Sequence, residues 1–343
     1  MQTSTHTPTS SILPLSVLVV GGAGYIGSHM VKHLLRQGYD VVTFDNLSTG
    51  YRDAVLGGEF VLGDLADTSA LENLFSSHRF DGVMHFASFI QVGESVKEPA
   101  KYYENNVTNT LNLLNAMVKH NVKRFIFSST AAVYGEPQYV PIDEAHPKRP
   151  INPYGKTKWM VEQILEDYDR AYGLKSIALR YFNAAGADPE GELGERHEPE
   201  THLIPLVLQA ASGRRPHISV FGRDYDTPDG TCIRDYIHVT DLCDAHWLAL
   251  QKIMSGGNTT AYNLGNGQGF SVQQVIDTAC EVTGRNINAV NSPRRGGDPA
   301  RLVADGTSAR KSLNWQPARF DLKTIIEDAW KWEEKTTHLA IPA

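Results

Sequence analysis

Tyr154 and Lys158, in the run Tyr-Gly-Lys-Thr-Lys, put a phenol and an ammonium four residues apart, on one side of a helix. A phenol titrates near about pH 10 and is a poor base at neutral pH. A neighbouring ammonium favours the phenolate and brings it into working range for general-base chemistry. Asn152-Pro153 marks a turn that delivers Tyr154 at the start of the helix, and the hydroxyl-bearing run Ser128-Ser129-Thr130 precedes it. A surface tyrosine and lysine at helical spacing is the bland alternative; the turn, the hydroxyls and a glycine motif upstream weigh against it.

That motif is the second piece of chemistry. Val17-Leu18-Val19-Val20 carries no charge and suits a central parallel strand buried on both faces. Glycines follow at 21, 24 and 27, and from Tyr25 to Gln37 the spacing becomes helical, with Ile26, Met30, Leu34 and Leu35 on one face. A strand, a glycine turn and a helix N-terminus form an anion site suited to a pyrophosphate. Asp40–Asp45 reads as a second strand ending in a carboxylate 18 residues after Gly27, where a ribose-binding acid is expected. A carboxylate at Asp45 repels a 2′-phosphate, so NAD is favoured over NADP.

The elements that position these groups alternate. Strands are predicted over Glu59–Gly63, Asp81–Phe86, Lys123–Ser128 and Ser176–Tyr181, and helices from near Thr68, over Pro99–His120 and over Tyr154–Tyr172. Val107, Leu111, Leu114 and Val118 form the apolar stripe of the second helix, and Ala87–Glu98 reads as a loop. Asp64 either sits at an adenine ring or caps the helix near Thr68. This rhythm predicts a doubly wound parallel α/β sheet of the Rossmann type, with a smaller mixed α/β substrate domain at its carboxyl edge. Residues 15–183 form the dinucleotide-binding domain and 184–335 the substrate domain, with segments around 237–265 packing back on the first.

Composition narrows the classes. The chain has 343 residues, 41% hydrophobic and 21% charged, with net charge −7, which argues against a nucleic-acid surface and against an anionic membrane. Three cysteines without a Cys-x-x-Cys pair point to a reducing, cytoplasmic setting with no structural disulfide or zinc. Thirteen histidines form no His-Glu-x-x-His, no acid–histidine cluster is evident, and no metal is expected. Met1–Pro14 is polar and reads as a disordered tail rather than a signal peptide. No apolar run approaches membrane-spanning length.

Gly-Gly-x-Gly-Tyr-Ile-Gly, Tyr-x-x-x-Lys and the Ser/Thr strand tip resemble the signature of the extended short-chain dehydrogenases. Within that group the chain is similar to the UDP-glucose 4-epimerase family from Val17 to about Trp332. The matching runs are Val92-Gly93-Glu94-Ser95, Tyr102 to Val107, Arg180-Tyr181-Phe182-Asn183, Asp229-Gly230-Thr231, Arg234 to Val239, Tyr262 to Gly265 and Arg294 to Asp298. The resemblance implies Tyr154 as base, Lys158 as its partner and Thr130 as the residue bonding the sugar's 4-hydroxyl. It implies NAD contacts from Gly21, Gly24, Tyr25, Ile26, Gly27, Asp45, Asn46, Asp64, Leu65, Phe86, Ala87, Asn105, Ser128, Lys158 and Tyr181. For a UDP-sugar it implies Phe182, Asn183, His202, Leu203, Val220, Phe221, Arg234, Arg295, Asp298 and Leu302, beside Thr130 and Tyr154. It also implies a homodimer that pairs the Pro99–His120 and Tyr154–Tyr172 helices.

Three positions depart from the familiar pattern. Ser88-Phe89-Ile90 stands where members carry Gly-Leu-Lys, His202 where an asparagine often contacts the nucleotide, and Leu302 where members restricted to the non-acetylated sugar carry tyrosine. The expected reaction is reversible epimerisation at carbon 4 of a UDP-hexose through a 4-ketose, with NAD tightly held. Epimerases of UDP-glucuronate or UDP-pentoses are the near alternatives. A 4,6-dehydratase needs acids after the strand-tip threonine, where this chain has Ala131-Ala132, and a non-catalytic nucleotide sensor on this fold is expected to have lost Tyr154 or Lys158.

Overall fold

The computed structural model of the chain describes residues 14–295 and 298–339. The segment read as a tail, apart from Pro14, lies outside the described residues, as do Gly296 and Gly297. In chain order, β1 (Ser16–Val20) leads into α1 (Tyr25–Arg36), β2 (Asp40–Asp45), β3 (Glu59–Leu62), α2 (Thr68–Ser77) and β4 (Gly82–His85). Next come α3 (Val92–Lys97), α4 (Pro99–Tyr103), α5 (Asn109–Lys119), β5 (Arg124–Thr130), α6 (Pro153–Tyr172) and β6 (Lys175–Tyr181). The second half holds β7 (Asn183–Ala185), α7 (Leu203–Ser212), β8 (Ile218–Phe221), β9 (Ile233–Arg234), β10 (Tyr236–His238), α8 (Val239–Met254) and β11 (Thr260–Leu264). It ends with β12 (Phe270–Ser271), α9 (Val272–Thr283), β13 (Ala289–Ser292), β14 (Arg301–Leu302), α10 (Thr307–Leu313) and α11 (Leu322–Leu339).

Seven of these strands make one parallel sheet in the order β3-β2-β1-β4-β5-β6-β11. The charge-free run of β1 explains its central place. Val17 and Val19 pack on one face with Met30 and Leu34 of α1 and Leu242 of α8. Leu18 and Val20 pack on the other with Leu71 of α2, Leu113 of α5 and Val161 of α6. The fold is the doubly wound parallel α/β type expected from the alternating rhythm. Strand order reverses between β1 and β4, and that reversal opens a crevice at their carboxyl ends, where such folds bind ligands. A second core gathers α7, β8, α9 and α11, through Val207, Ile218, Val275, Ile276 and Ile325. Among the described residues, no helix is long and apolar enough to cross a membrane.

Two local expectations change, and the alternative left open at Asp64 is narrowed. The helix predicted over Pro99–His120 is interrupted by a π turn at Glu104–Thr108. The wider turn shifts the centre of the buried face: Leu113, Leu114 and Met117 are fully buried, while Val107 and Val118 of the predicted stripe are partly buried at the edge of the same core. The stretch read as a loop, Ala87–Glu98, contains α3. The cap of α2 is Asp67, which accepts from the N–H groups of Ser69 at 2.9 Å and Ala70 at 3.0 Å, and not Asp64.

Candidate active site

The glycine turn is built for close approach. Gly21 has φ +79°, and a Cβ there would lie 2.5 Å from the backbone nitrogen of Ala87; a Cβ on Gly27 would lie 2.1 Å from the Gly21 carbonyl oxygen. Both are backbone collisions, so only glycine fits. Gly24 caps α1 with no side-chain acceptor, leaving the N–H groups of the helix start available to an anion. Asp45, buried at the end of β2, accepts from the N–H of Ala23 at 2.9 Å and of Leu47 at 2.8 Å, which fixes its carboxylate against the turn. Asn46 donates to Asp64 at 2.7 Å, joining the ends of β2 and β3. A bare cradle, uncapped N–H groups and an adjacent acid fit a dinucleotide pyrophosphate and ribose.

Other residues expected at the cofactor take defined places around the crevice. Tyr25 donates to the carbonyl of Gly186 at 2.7 Å, and Ile26 packs on the core beside it. The Leu65 side chain lies in the core, and its carbonyl accepts from Asn112 at 3.0 Å. Phe86 and Ala87 follow β4, where the N–H of Phe86 donates to the Val20 carbonyl at 2.8 Å. Asn105 donates to Asn106 at 3.0 Å in the π turn. Tyr181, at the end of β6, bonds the Ser128 hydroxyl in a very short contact.

Tyr154 stands at the second position of α6 because Pro153 opens that helix and the Asn152 side chain caps it, accepting from the Gly155 N–H at 2.8 Å. Burial raises the proton affinity of the phenol above its ordinary value, with the Thr130 hydroxyl acting in the opposite direction. Lys158, one turn on, is 2% exposed and donates to the Ser88 hydroxyl at 2.7 Å and to the Ser128 carbonyl at 2.8 Å. Burial brings its pKa from 10.5 down to about 7, while the Glu162 carboxylate acts to raise it. Burial thus works against the charge of the ammonium that the sequence places beside the phenol.

Beneath this group lies a buried ion pair that sequence reasoning missed. Arg180 of β6 grips Glu162 of α6 through Nε at 3.0 and 3.1 Å and through a shorter contact from a terminal nitrogen. Ser129 donates to the same carboxylate at 2.5 Å, and Arg180 donates to the Tyr134 hydroxyl at 2.9 Å. Asn106 was also unassigned. Its amide brackets the Phe89 peptide at 2.9 and 3.0 Å and donates to the Thr157 hydroxyl at 3.2 Å, tying the segment after β4 to α6.

On the substrate side, Phe182 and Leu302 pack against Ala131, Val133, Tyr134 and Ile142, beside the turn after Thr130. Asn183 donates to the Asp235 carbonyl at 2.9 Å. Asp298 is bracketed by Arg234 at 3.4 Å and Arg295 at 2.9 Å, and Arg295 lies 4.8 Å above the ring of Phe221. Val220 is 1% exposed within the second core, so its side chain does not reach a ligand. Leu203 opens α7, and His202 before it pairs with Glu195 in a contact shorter than an ordinary hydrogen bond.

That pair belongs to an acid–histidine cluster, which the sequence reading did not find. One ligand atom from each of Glu195, His197, Glu200 and His202 lies within 4.8 Å of the others. The signal was present as acids and histidines interleaved over eight residues. The groups compensate one another. Burial alone would raise Glu195, but His202 and His197 hold it at about 2; burial alone would lower His197, but Glu195 and Glu200 lift it to about 10.

A doubly wound sheet with a glycine cradle at its switch point, and a tyrosine–lysine pair beside the neighbouring strand tips, defines a dinucleotide-dependent α/β enzyme. Residues 17–265 match the profile of the NAD dependent epimerase/dehydratase family, and the chain belongs to that family. It is 51% identical over 324 residues to the UDP-glucose 4-epimerase of Halalkalibacterium halodurans, covering 94% of this chain and 97% of that one. The crystal structure of UDP-glucose 4-epimerase from Brucella ovis in complex with NAD superposes with a TM-score of 0.91 at 50% identity, over 92% of this chain and 97% of that one. That of Bifidobacterium longum UDP-glucose 4-epimerase in complex with NAD+ and UDP gives 0.89 at 40% identity, over 94% and 99%.

Proposed function

We propose that this chain interconverts UDP-hexoses differing in configuration at carbon 4, with NAD as a tightly held cofactor. The observation that carries the reading is the composition of the β5 tip. The Thr130 hydroxyl meets the Tyr154 phenol, and the next turn, Ala131–Val133, has no acid with which to expel a group neighbouring carbon 4. The site can remove a proton at carbon 4 and restore it. The near full-length likeness to UDP-glucose 4-epimerases supports the same conclusion.

Bound NAD supplies a two-electron oxidant that takes up hydride from carbon 4 and returns it. The chain's own residues do the rest. Thr130 orients the 4-hydroxyl and Tyr154 accepts its proton, then gives it back after the ketose has turned over. Lys158 supplies positive charge beside the phenolate. Arg234 and Arg295, which share Asp298 in this structure, grip the diphosphate, and Asp298 then accepts from the uridine ribose. Anchoring by parts that do not react leaves the sugar free to rotate.

The partner is a second copy of the chain. Met160 and Tyr172 on α6 and Val96 on α3 are exposed apolar side chains on neighbouring elements, consistent with a symmetric helical interface. A cytoplasmic location is part of the same reading. Leu302, packed beside the turn after Thr130, leaves more room than tyrosine, so UDP-N-acetylglucosamine is proposed as a second substrate beside UDP-glucose. The test is incubation of purified protein with UDP-galactose and no added cofactor. UDP-glucose is the expected product; a 4-keto-6-deoxy sugar, or no product, refutes the reading.

A further inference from the structure

Ser88 has no role assigned so far, yet its hydroxyl meets the most consequential amine in the molecule. It comes just after β4, on the neighbouring strand tip to Ser128, and is 70 residues from Lys158 in sequence. Lys158 enters the crevice from α6 with its ammonium almost fully buried, 4.8 Å above the ring of Phe127. In such a place an ammonium persists only if its N–H groups find acceptors. Two acceptors are in reach, the Ser88 hydroxyl at 2.7 Å and the Ser128 carbonyl at 2.8 Å, which leaves one N–H bond for Tyr154 or a cofactor ribose.

We propose that Ser88 is a positioning residue for the reaction: its hydroxyl holds the Lys158 ammonium between two strand tips, in the charged form and aimed at the reacting centre. The inference rests on the epimerase reading, because it presupposes that Lys158 serves Tyr154. A residue without a side-chain acceptor at position 88 would leave the Lys158 amine with the Ser128 carbonyl alone. The Asn106 side chain supports the arrangement by fixing both the N–H and the carbonyl of the adjacent Phe89, so the backbone carrying Ser88 is held in place.

The other groups facing Lys158 do not substitute for Ser88. Glu162, one turn further along α6, supplies favourable charge but is gripped by Arg180 and Ser129 and makes no direct bond to the amine. His85, buried at the end of β4, is held at about 3 by burial and by Lys158 itself, so it is neutral. Tyr181 of β6 is turned to the Ser128 hydroxyl, and Tyr154 to the Thr130 hydroxyl. Burial already depresses the amine's basicity, and removing one of its two acceptors depresses it further, since a hydrogen bond to the charged form favours that form.

The test uses the full-length protein with its bound dinucleotide and compares wild type with Ser88→Ala, Ser88→Cys and Ser88→Thr. Turnover of UDP-galactose is followed from pH 6 to 9.5, with NAD content and melting temperature recorded for each. Ser88→Ala and Ser88→Cys are expected to lower kcat at pH 8 by about ten- to a hundredfold, the loss of one charge-assisted hydrogen bond, with little change in KM. The alkaline fall of kcat should move to lower pH, because the ammonium is lost sooner, and Ser88→Thr should restore both rate and profile. Cysteine keeps the volume, so it gives the answer if alanine perturbs folding. An unchanged kcat and alkaline limb in the alanine and cysteine variants overturns the proposal, as does a loss that follows KM or NAD content or that threonine fails to rescue. Wild-type protein without turnover instead overturns the epimerase reading on which the proposal rests.

Discussion

Burying Lys158 should leave a measurable mark on stability as a function of pH. The amine titrates at 10.5 in the open chain and at about 7 in the folded protein. Between those values the unfolded state binds the proton more tightly, so raising the pH stabilises the fold by about 1.4 kcal/mol per unit. The gain accumulates to roughly 5 kcal/mol between about pH 7 and 10.5, and below about pH 7 the full burden of the buried charge is present. Lys158→Met removes the amine and keeps much of its volume. Urea unfolding of wild type and variant, with matched dinucleotide content, should be compared at half-unit steps from pH 7 to 9. Other tyrosines and cysteines ionise in both proteins and cancel in the difference. Methionine leaves the Ser88 hydroxyl and the Ser128 carbonyl without their donor, which offsets the result by a constant but does not alter its slope. The difference should move towards wild type by about 2–3 kcal/mol over those two units. A difference that stays flat means that Lys158 titrates normally in the folded protein, and the account of its burial fails.

Tyr154→Phe should lower kcat by about a hundred- to ten-thousandfold while KM for UDP-galactose stays near the wild-type value, since only the proton acceptor is removed; near-normal turnover refutes its role. Gly27→Ala forces a Cβ to 2.1 Å from a backbone oxygen, so the variant should lose bound NAD on gel filtration and melt several degrees lower; full NAD retention contradicts the cradle geometry. Leu302→Tyr should suppress turnover of UDP-N-acetylgalactosamine relative to UDP-galactose, and no change in the ratio shows that position 302 does not set the choice. Solution scattering at micromolar concentration should return the mass of two chains, and a monomer's mass rejects the proposed helical interface.

Features written locally were legible. The glycine turn, the uncharged strand before it, Asp45 at the next strand end and the capped start of α6 each depend on residues within a few positions of one another. What escaped was set by distant contacts or by a change of period. The π turn adds one residue to a helical repeat without altering composition, so the stripe through Val107 and Val118 only borders the core, and the fully buried Leu113 and Met117 were not read. Ser88 and Lys158 meet across the sheet edge, and Arg180 finds Glu162 from a neighbouring strand; neither pairing can be read from spacing. The interleaved acids and histidines of 195–202 lie close in sequence but match no metal-site spacing, so the cluster passed unnoticed.

The Arg180–Glu162 pair has a consequence for how this site can change over generations. Each partner is about 5% exposed, and each neutralises a charge that water cannot reach. Loss of either alone strands the other at a cost of about 3–5 kcal/mol, whereas replacing both by apolar residues can be nearly neutral for stability. Single substitutions at these positions are therefore barred while the double exchange is open, so the two behave as one inherited character. Because Glu162 also bears on Lys158, a lineage that made the double exchange would keep its fold and lose part of the charge on its catalytic amine.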